Sequence, residues 1–259
     1  MPRKLYHVDS FTGVPFAGNP AGVCIMGAAA PEDWMQNIAA EMNLSETAFL
    51  YPAEDGFNLR WFTPTVEVDL CGHATLASAH ILRETGLVDP AATIIFHTKG
   101  GLLKAEDERG WIRLDFPALP PYPVKSPPTL VKALGAPAVF VGANETSYLV
   151  ELESEQAVKT LKPDIALLAG FRVIVTARSG DEKYDFVSRY FAPAIGIDED
   201  PVTGSAHCCL GPYWMQRLQK TELMAYQASR RGGEVKVLVR GDRVHLMGRA
   251  VTVFEMQIC

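Results

Sequence analysis

The sequence lacks any long uninterrupted apolar run. Within its 259 residues no apolar stretch is long enough to cross a bilayer. The N-terminal MPRKLYHVDSF leads directly into strand-like alternation, without the apolar core of an export signal. We therefore expect a cytoplasmic protein without a membrane partner.

Basic runs are also missing. The chain carries 24 Lys and Arg against 30 Asp and Glu, a formal net charge of −6, and it has no basic segment interleaved with aromatic residues. Nucleic-acid surfaces need clustered positive charge, so this composition argues against such a partner. The partner we expect is a small molecule.

Cysteine is sparse and irregularly placed. The five cysteines are an odd number without framework spacing, and the adjacent pair Cys208 and Cys209 does not have the spacing of a zinc knuckle. We expect reduced thiols and no structural metal site.

Short strand-like segments dominate the first 117 residues. They surround two segments with helical spacing, PEDWMQNIAAEMN and HATLASAHILRETG, and the second of these is rich in small residues. Six prolines between positions 117 and 128 then remove all periodicity, which indicates a boundary. A helix rich in small residues fits inside a sheet, so we expect the second helix to be central.

The second half repeats the order of the first. Strand-like segments again surround one long helix of small residues, GSAHCCLGPYWMQRLQ. CGHATLASAHIL and TGSAHCCLGPYW share a pattern at an offset of 132 residues, which indicates an internal duplication. We predict one half over residues 1–117, with the terminal strand 249–259 as a candidate to complete it, and a second half over residues 118–248.

Both central helices begin with a glycine and a small polar residue. Such a start leaves the first backbone N–H groups and the positive end of the helix dipole accessible to an anion. The pairs Gly72 with His73 and Gly204 with Ser205 could together hold a carboxylate-bearing small molecule. The alternative is two ordinary helix starts whose small residues allow close packing.

Titratable groups lie near both helix starts. Asp200 precedes a proline ahead of the second helix, and a helix N-terminus would keep the ring of His73 neutral, able to relay a proton. Glu67 and Asp69 alternate with apolar residues and are interpreted as the solvent face of a strand. Glu46, in EMNLSETAFL, is an isolated acid among apolar neighbours; taken alone, this stretch favours an acid that faces water beside a turn capped by Ser45 or Thr47.

Four motifs in the same order carry a family resemblance. The segments GNPAGV (18–23), NLSETAFL (43–50), RWFTPTVEVDLCGHATLASA (60–79) and EDPVTGSAHC (199–208) together resemble the phenazine-biosynthesis-like, or PhzF-type, isomerases. The resemblance implies a diaminopimelate-epimerase-like α/β fold. In that fold two pseudo-symmetric halves each have a curled, mostly antiparallel sheet around a central helix, and the active site lies in the cleft between them. It implies neither a metal nor an organic cofactor.

The same resemblance implies roles for individual residues. Glu46 would be the general acid/base that moves a proton between carbons of a small carboxylate-bearing substrate. His73, Asp200 and Ser205 would be its catalytic companions. The predicted substrate contacts are Ser45, Gly72, His73, Gly204 and Ser205.

Two other functions remain open from the sequence. The chain could be a catalytically silent binding protein with this fold, or an amino-acid epimerase that uses Cys71 as a base. The residue at the repeat offset from Cys71 is Thr203, so a symmetric pair of thiols is not supported, and Cys71 is interpreted as a small residue at a turn. Two-fold dimers are the commonest assemblies of soluble enzymes, so a homodimer is the expected alternative to a monomer.

Overall fold

The chain folds into two compact units. The structure, a computed structural model, describes residues 3–258. One unit comprises Met1–Asp115 with Met247–Cys259, and the other comprises Phe116–Leu246. Within the described residues, no helix has both the length and the apolar character that a bilayer crossing requires.

The first unit contains nine strands, eight of which pair in one succession. Its elements are β1 (Arg3–Ser10), β2 (Asn19–Ile25), α1 (Glu32–Met42), β3 (Glu46–Ala53), β4 (Gly56–Phe62), β5 (Glu67–Val68), α2 (Gly72–Glu84), β6 (Ile94–Thr98), β7 (Gly101–Glu108), β8 (Trp111–Pro117) and the last strand of the chain, β18 (Ala250–Ile258). The order of pairing is β18, β1, β2, β3, β4, β6, β7, β8. Only β2–β3 and β4–β6 are parallel, and each of these crossovers contains a helix, as parallel neighbours require.

Helix α2 is the buried centre of this unit. Nine of its thirteen residues are buried, and it contacts β1, β2, β3 and β18. The small side chains of Ala74, Ala77, Ser78 and Ala79 allow this close approach, which confirms the predicted central position. Helix α1 instead packs Met35 and Ala39 against Cys24 and Phe49. Because neighbouring residues of a strand point to opposite faces, β2 and β3 are covered on both sides.

The elements of the second unit contain the succession found in the first, with two further elements at its start and a 3-10 turn within it. They are β9 (Tyr122–Pro123), α3 (Pro128–Leu134), β10 (Ala138–Ala143), β11 (Tyr148–Leu152), α4 (Glu155–Thr160), β12 (Val173–Arg178), β13 (Phe186–Ala192), a 3-10 turn (Pro193–Ile195), β14 (Ile197–Asp200), α5 (Gly204–Leu218), β15 (Glu222–Gln227), β16 (Gly233–Arg240) and β17 (Arg243–Gly248). The pairing order is β9, β10, β11, β12, β13, β15, β16. The parallel pairs β11–β12 and β13–β15 again enclose a helix each, α4 and α5.

The repetition confirms the predicted fold class. In each unit an antiparallel pair is followed by a parallel crossover, a second antiparallel pair, a short strand and then the long helix. That helix begins at Gly72 in one unit and at Gly204 in the other, an offset of 204 − 72 = 132 residues. Helices α3 and α4 and strand β15 were not predicted, because the two helices are only seven and six residues long and β15 directly follows a long helix.

Residues at the start of the proline-rich segment are fixed to α5 and its neighbours. Pro212 lies inside α5 and has no N–H to donate to the carbonyl of Cys208. The backbone N–H of Leu119 donates to that carbonyl instead, at 3.0 Å, and the N–H of Ala118 donates to the carbonyl of Asp242 at 2.8 Å. This part of the predicted boundary is therefore ordered backbone with defined partners.

Gly18 provides a test of the packing around β1. It has a φ of +65°, and an added Cβ would overlap the carbonyl oxygen of Ser10. Gly86 has a similar φ of +71° but nothing within 4 Å of its Cβ position. Gly86→Ala should therefore cost only the backbone term, about 1 kcal/mol. Gly18→Ala should cost about 1–3 kcal/mol more, because Ser10 must move.

The measurement is urea unfolding of both variants and the parent, with midpoints and slopes compared. Equal losses of stability in the two variants would contradict the steric argument. A larger loss for Gly18→Ala would support it, since the two positions have similar positive φ values.

Candidate active site

Glu46 and His73 lie side by side in the first unit. Glu46 is the first residue of β3 and pairs in register with Ala21 of β2. Its Oε2 is 3.3 Å from Nε2 of His73, and the two side chains are 15% and 8% exposed. A carboxylate that is mostly shielded but still reachable from solvent therefore lies against an imidazole at the start of α2.

Hydrogen bonds to the backbone fix the first turn of α2. The hydroxyl of Ser10, which is fully buried, donates to the carbonyl of His73 at 2.8 Å. The hydroxyl of Thr75 donates to the carbonyl of Cys71 at 2.6 Å. Cys71 occupies the N-cap position in an extended conformation and makes no side-chain capping bond. The N-terminal end of α2 is thus held in place without a capping side chain over its N–H groups.

The ring of His73 is neutral at physiological pH. Burial lowers the pKa of His73 to about 4, because the charged imidazolium loses its hydration. The sequence predicted a neutral ring for a different reason, the dipole at the helix start, whereas the cause found here is burial. Its Nε2 makes no hydrogen bond within residues 3–258 although it faces Glu46.

Cys71 adds a thiol to this pair. Its Sγ lies 3.5 Å from Nδ1 of His73, on the other side of the ring from Glu46. One ligand-type atom from each of Glu46, Cys71 and His73 lies within 4.8 Å of the other two. The sequence predicts Cys71 as a small residue at a turn. Its contact with His73 was not predicted, because it depends on the orientation of the ring.

Glu67 does not lie on a solvent face as expected. Its side chain is only 8% exposed, and it accepts hydrogen bonds from Arg60 and Lys99. The guanidinium of Arg60 lowers the pKa of Glu67, with a further contribution from Lys99. Glu67 therefore forms a structural ion pair with Arg60, which joins β4 to β5.

A second polar cluster lies at the start of α5 in the second unit. The hydroxyl of Thr203 donates to Oδ2 of Asp200, a buried residue at the end of β14. Gln227, fully buried at the end of β15, donates to the carbonyl of Asp200 at 2.8 Å and to the hydroxyl of Thr203 at 3.2 Å. Its Oε1 accepts from the N–H of Thr203 at 2.9 Å. Gln227 was not predicted, because a single polar residue at a strand end gives no sequence signal.

The start of α5 resembles the start of α2 in its geometry. Thr203 is an extended N-cap residue without a side-chain capping bond, because its hydroxyl is used by Asp200. Gly204 follows half-buried, and Ser205 is exposed. His207 is not one of the predicted site residues. It is buried and its Nδ1–H donates to the carbonyl of Thr203 at 2.8 Å, which gives it a structural role.

The predicted site residues therefore fall into two clusters. Glu46, His73 and Gly72 lie together in the first unit, with Ser45 half-buried immediately before β3. Asp200, Gly204 and Ser205 lie together in the second unit around the start of α5. The first cluster offers a shielded acid/base beside a neutral imidazole. The second offers an accessible helix N-terminus.

Comparisons with known proteins agree with this fold. The family model described as phenazine biosynthesis-like protein matches residues 8–256. A protein named uncharacterized isomerase, from Halalkalibacterium halodurans, is 52% identical over 100% of this chain and 99% of its own length. The crystal structure of a PhzF-family phenazine biosynthesis protein from Enterococcus faecalis has a TM-score of 0.95 at 40% identity, with 100% of both chains covered.

A more distant structure agrees in fold alone. The structure of a predicted epimerase from Pseudomonas aeruginosa has a TM-score of 0.73 at 19% identity, with 99% of both chains covered. Fold and relatives together define an isomerase with an epimerase-like architecture. The chain belongs to the phenazine biosynthesis-like family, the PhzF type of this class.

The hydroxyl of Thr203 should stabilise the second unit through Asp200. Thr203→Val keeps the shape of the side chain but removes the donor to a buried carboxylate, so we expect a loss of about 1–3 kcal/mol in the free energy of unfolding. Thr203→Ser keeps the hydroxyl and is the matched control, with a smaller loss. Urea unfolding measures both, and equal stabilities of the two variants would show that the bond to Asp200 contributes nothing.

Proposed function

We propose that this isomerase moves a proton between carbons of a small carboxylate-bearing molecule, with Glu46 as the general acid/base. The supporting observation is the position of Glu46, whose carboxylate is 15% exposed and lies 3.3 Å from the buried ring of His73. A positioned carboxylate that is partly shielded from water is suited to take up and return a proton.

The proposed reaction has two proton transfers. Glu46 as the carboxylate takes a proton from a carbon of the substrate and becomes the neutral acid, while the electron pair of that C–H bond moves into the substrate. The neutral acid then returns the proton to a second carbon, and the carboxylate is regenerated. Atoms and charges balance without an external reactant.

His73 supports both states of Glu46 without adding charge. With a pKa of about 4 the ring stays neutral at pH 7, so it does not trap Glu46 in a permanent ion pair. A neutral imidazole can donate a hydrogen bond to a carboxylate or accept one from a carboxylic acid, according to its tautomer. This makes His73 a positioning residue that serves Glu46 before and after proton transfer.

The substrate carboxylate would be bound by backbone N–H groups at the start of α2. The N-cap residue leaves these groups uncapped, and Gly72 has no side chain to obstruct them. An anion at this end would also gain from the helix dipole. That Asp200, Gly204 and Ser205 act on the same substrate stays a prediction from the family resemblance.

Glu46→Gln tests the proposal. The amide keeps size and hydrogen bonding but cannot carry the transferable proton, so turnover should fall by about 10²-fold or more. Candidate small acids are incubated in heavy water, and exchange of carbon-bound hydrogen for deuterium is followed by NMR. Glu54→Gln is the matched control, because Glu54 is an exposed residue of the same unit and the change in charge is the same. A Glu46→Gln protein that exchanges deuterium as fast as the parent would refute the role of Glu46.

A second candidate function is an epimerase that uses Cys71 as the base. The 3.5 Å contact between Sγ of Cys71 and Nδ1 of His73 favours it, because an imidazole can activate a thiol. In the Glu46 reaction no step uses the thiol, so Cys71→Ala should retain deuterium exchange within about tenfold of the parent, against the 10²-fold loss expected for Glu46→Gln. Substitution is the suitable test because Cys71 is only 6% exposed and poorly accessible to alkylating reagents. Exchange lost in Cys71→Ala but kept in Glu46→Gln would assign the base to the thiol.

A further inference from the structure

The side chains of Glu46, Cys71 and His73 form a cluster of three different metal-ligand types. One oxygen, one sulfur and one nitrogen atom lie within 4.8 Å of one another. In a tetrahedral zinc site, with bonds of about 2.0 to 2.3 Å, neighbouring ligand atoms are separated by about 3.3 to 3.7 Å. Oε2 of Glu46 lies 3.3 Å from Nε2 of His73, which is already in this range. The 3.5 Å contact of Sγ of Cys71 is with the other ring nitrogen, Nδ1, so a cation on Nε2 requires Sγ to turn toward it.

An independent feature of His73 points to a ligand. The residue is 7% exposed, and its Nε2 has no hydrogen-bond partner in the part of the chain that the structure describes. Buried polar atoms are nearly always paired, so an unpaired ring nitrogen directed at a carboxylate indicates a group to be bound there. A neutral imidazole has one nitrogen lone pair available for a metal.

The ligand types select the class of cation. Thiolate and imidazole together prefer borderline and soft cations such as Zn²⁺ and Cd²⁺, whereas Mg²⁺ and Ca²⁺ prefer sites made of oxygen alone. Three protein ligands leave a fourth position for water, and the partial exposure of Glu46 gives this position access to solvent.

We propose that Glu46, Cys71 and His73 bind one thiophilic divalent cation, Zn²⁺ or Cd²⁺, and that the bound cation blocks the site. Cys71 binds as the thiolate and releases its proton to solvent, and His73 binds through Nε2. The thiol of Cys71 turns about its Cα–Cβ bond toward this cation, because the present limit of 4.8 Å between ligand atoms exceeds the range of a tetrahedral site. The hydrogen bonds from Ser10 and Thr75 hold the backbone of His73 and of Cys71 in place meanwhile.

The blocking effect rests on the proposed function, whereas the binding does not. A cation on the carboxylate of Glu46 would occupy the lone pairs that take up the substrate proton. Deuterium exchange should therefore fall as Zn²⁺ is added and should return when a chelator removes the ion.

The binding test is a titration of the full chain with Cd²⁺, followed through the ultraviolet charge-transfer absorption of the cadmium–thiolate bond. We expect one equivalent of Cd²⁺ to bind, Zn²⁺ to displace it, and Mg²⁺ to leave it in place. Cys71→Ala should lose the absorption band and weaken Zn²⁺ binding, measured by calorimetry, by about 10²-fold or more. Cys24→Ala is the matched control, because Cys24 is a buried thiol of the same unit whose pKa burial raises to about 12.

Each outcome decides for or against the site. A band that is present in the parent and in Cys24→Ala but lost in Cys71→Ala supports it. A band that survives Cys71→Ala, or no band in the parent at a large excess of Cd²⁺, overturns it. If Cys71→Ala does not fold, as judged by its melting transition, Cys71→Ser and Glu46→Gln replace it. If both of these variants bind Cd²⁺ as strongly as the parent does, the site is also overturned.

The two proposals can fail separately. If Cd²⁺ binds as expected while the Glu46→Gln variant still exchanges deuterium, the cation site is supported and the acid/base role of Glu46 is refuted. If deuterium exchange depends on Glu46 but the chain binds no Cd²⁺, the acid/base role is supported and the cation site is refuted.

Discussion

The hydrogen bond from Ser10 to the carbonyl of His73 holds the start of α2 against β1, and the arrangement of the first unit depends on it. A helix placed at the centre of a curled sheet has no room for large side chains, which explains the run of small residues along α2. The same burial removes water from the ring of His73 and so keeps it neutral. Packing therefore determines the electrostatics of the site.

Position and chemistry are coupled in the same way at α5. Its N-cap residue, Thr203, gives its hydroxyl to Asp200 and its N–H to Gln227, so the helix begins without a side-chain cap. In both units the groups that would otherwise cover the helix start are engaged elsewhere. The duplicated architecture thus produces the same feature twice with different residues: a helix inside a packed sheet whose N-terminal end is accessible.

Much of the fold could be predicted from the sequence, because it depends on local periodicity. The strands around α1 and α2, the slim character of α2 and the offset of 132 residues to α5 all follow from patterns within a few dozen residues. Helices α3 and α4 could not be predicted, because helices this short owe their stability to tertiary packing. Glu46 and His73 belong to recognisable motifs. The contact of Cys71 with His73 and the bonds of Gln227 depend on ring orientation and on strand order, and neither is encoded locally.

Pro212 has a consequence for the order in which the second unit folds. The carbonyl of Cys208 receives its donor from Leu119, which lies 208 − 119 = 89 residues earlier in the chain. Helix α5 therefore cannot complete its hydrogen bonding as a local element, and its completion requires closure of this long loop. During synthesis the earlier segment has to remain available until α5 has emerged. A circular permutant opened next to Leu119 would turn this donor into a chain terminus, so a surface segment rich in proline is an unsuitable place to cut this protein.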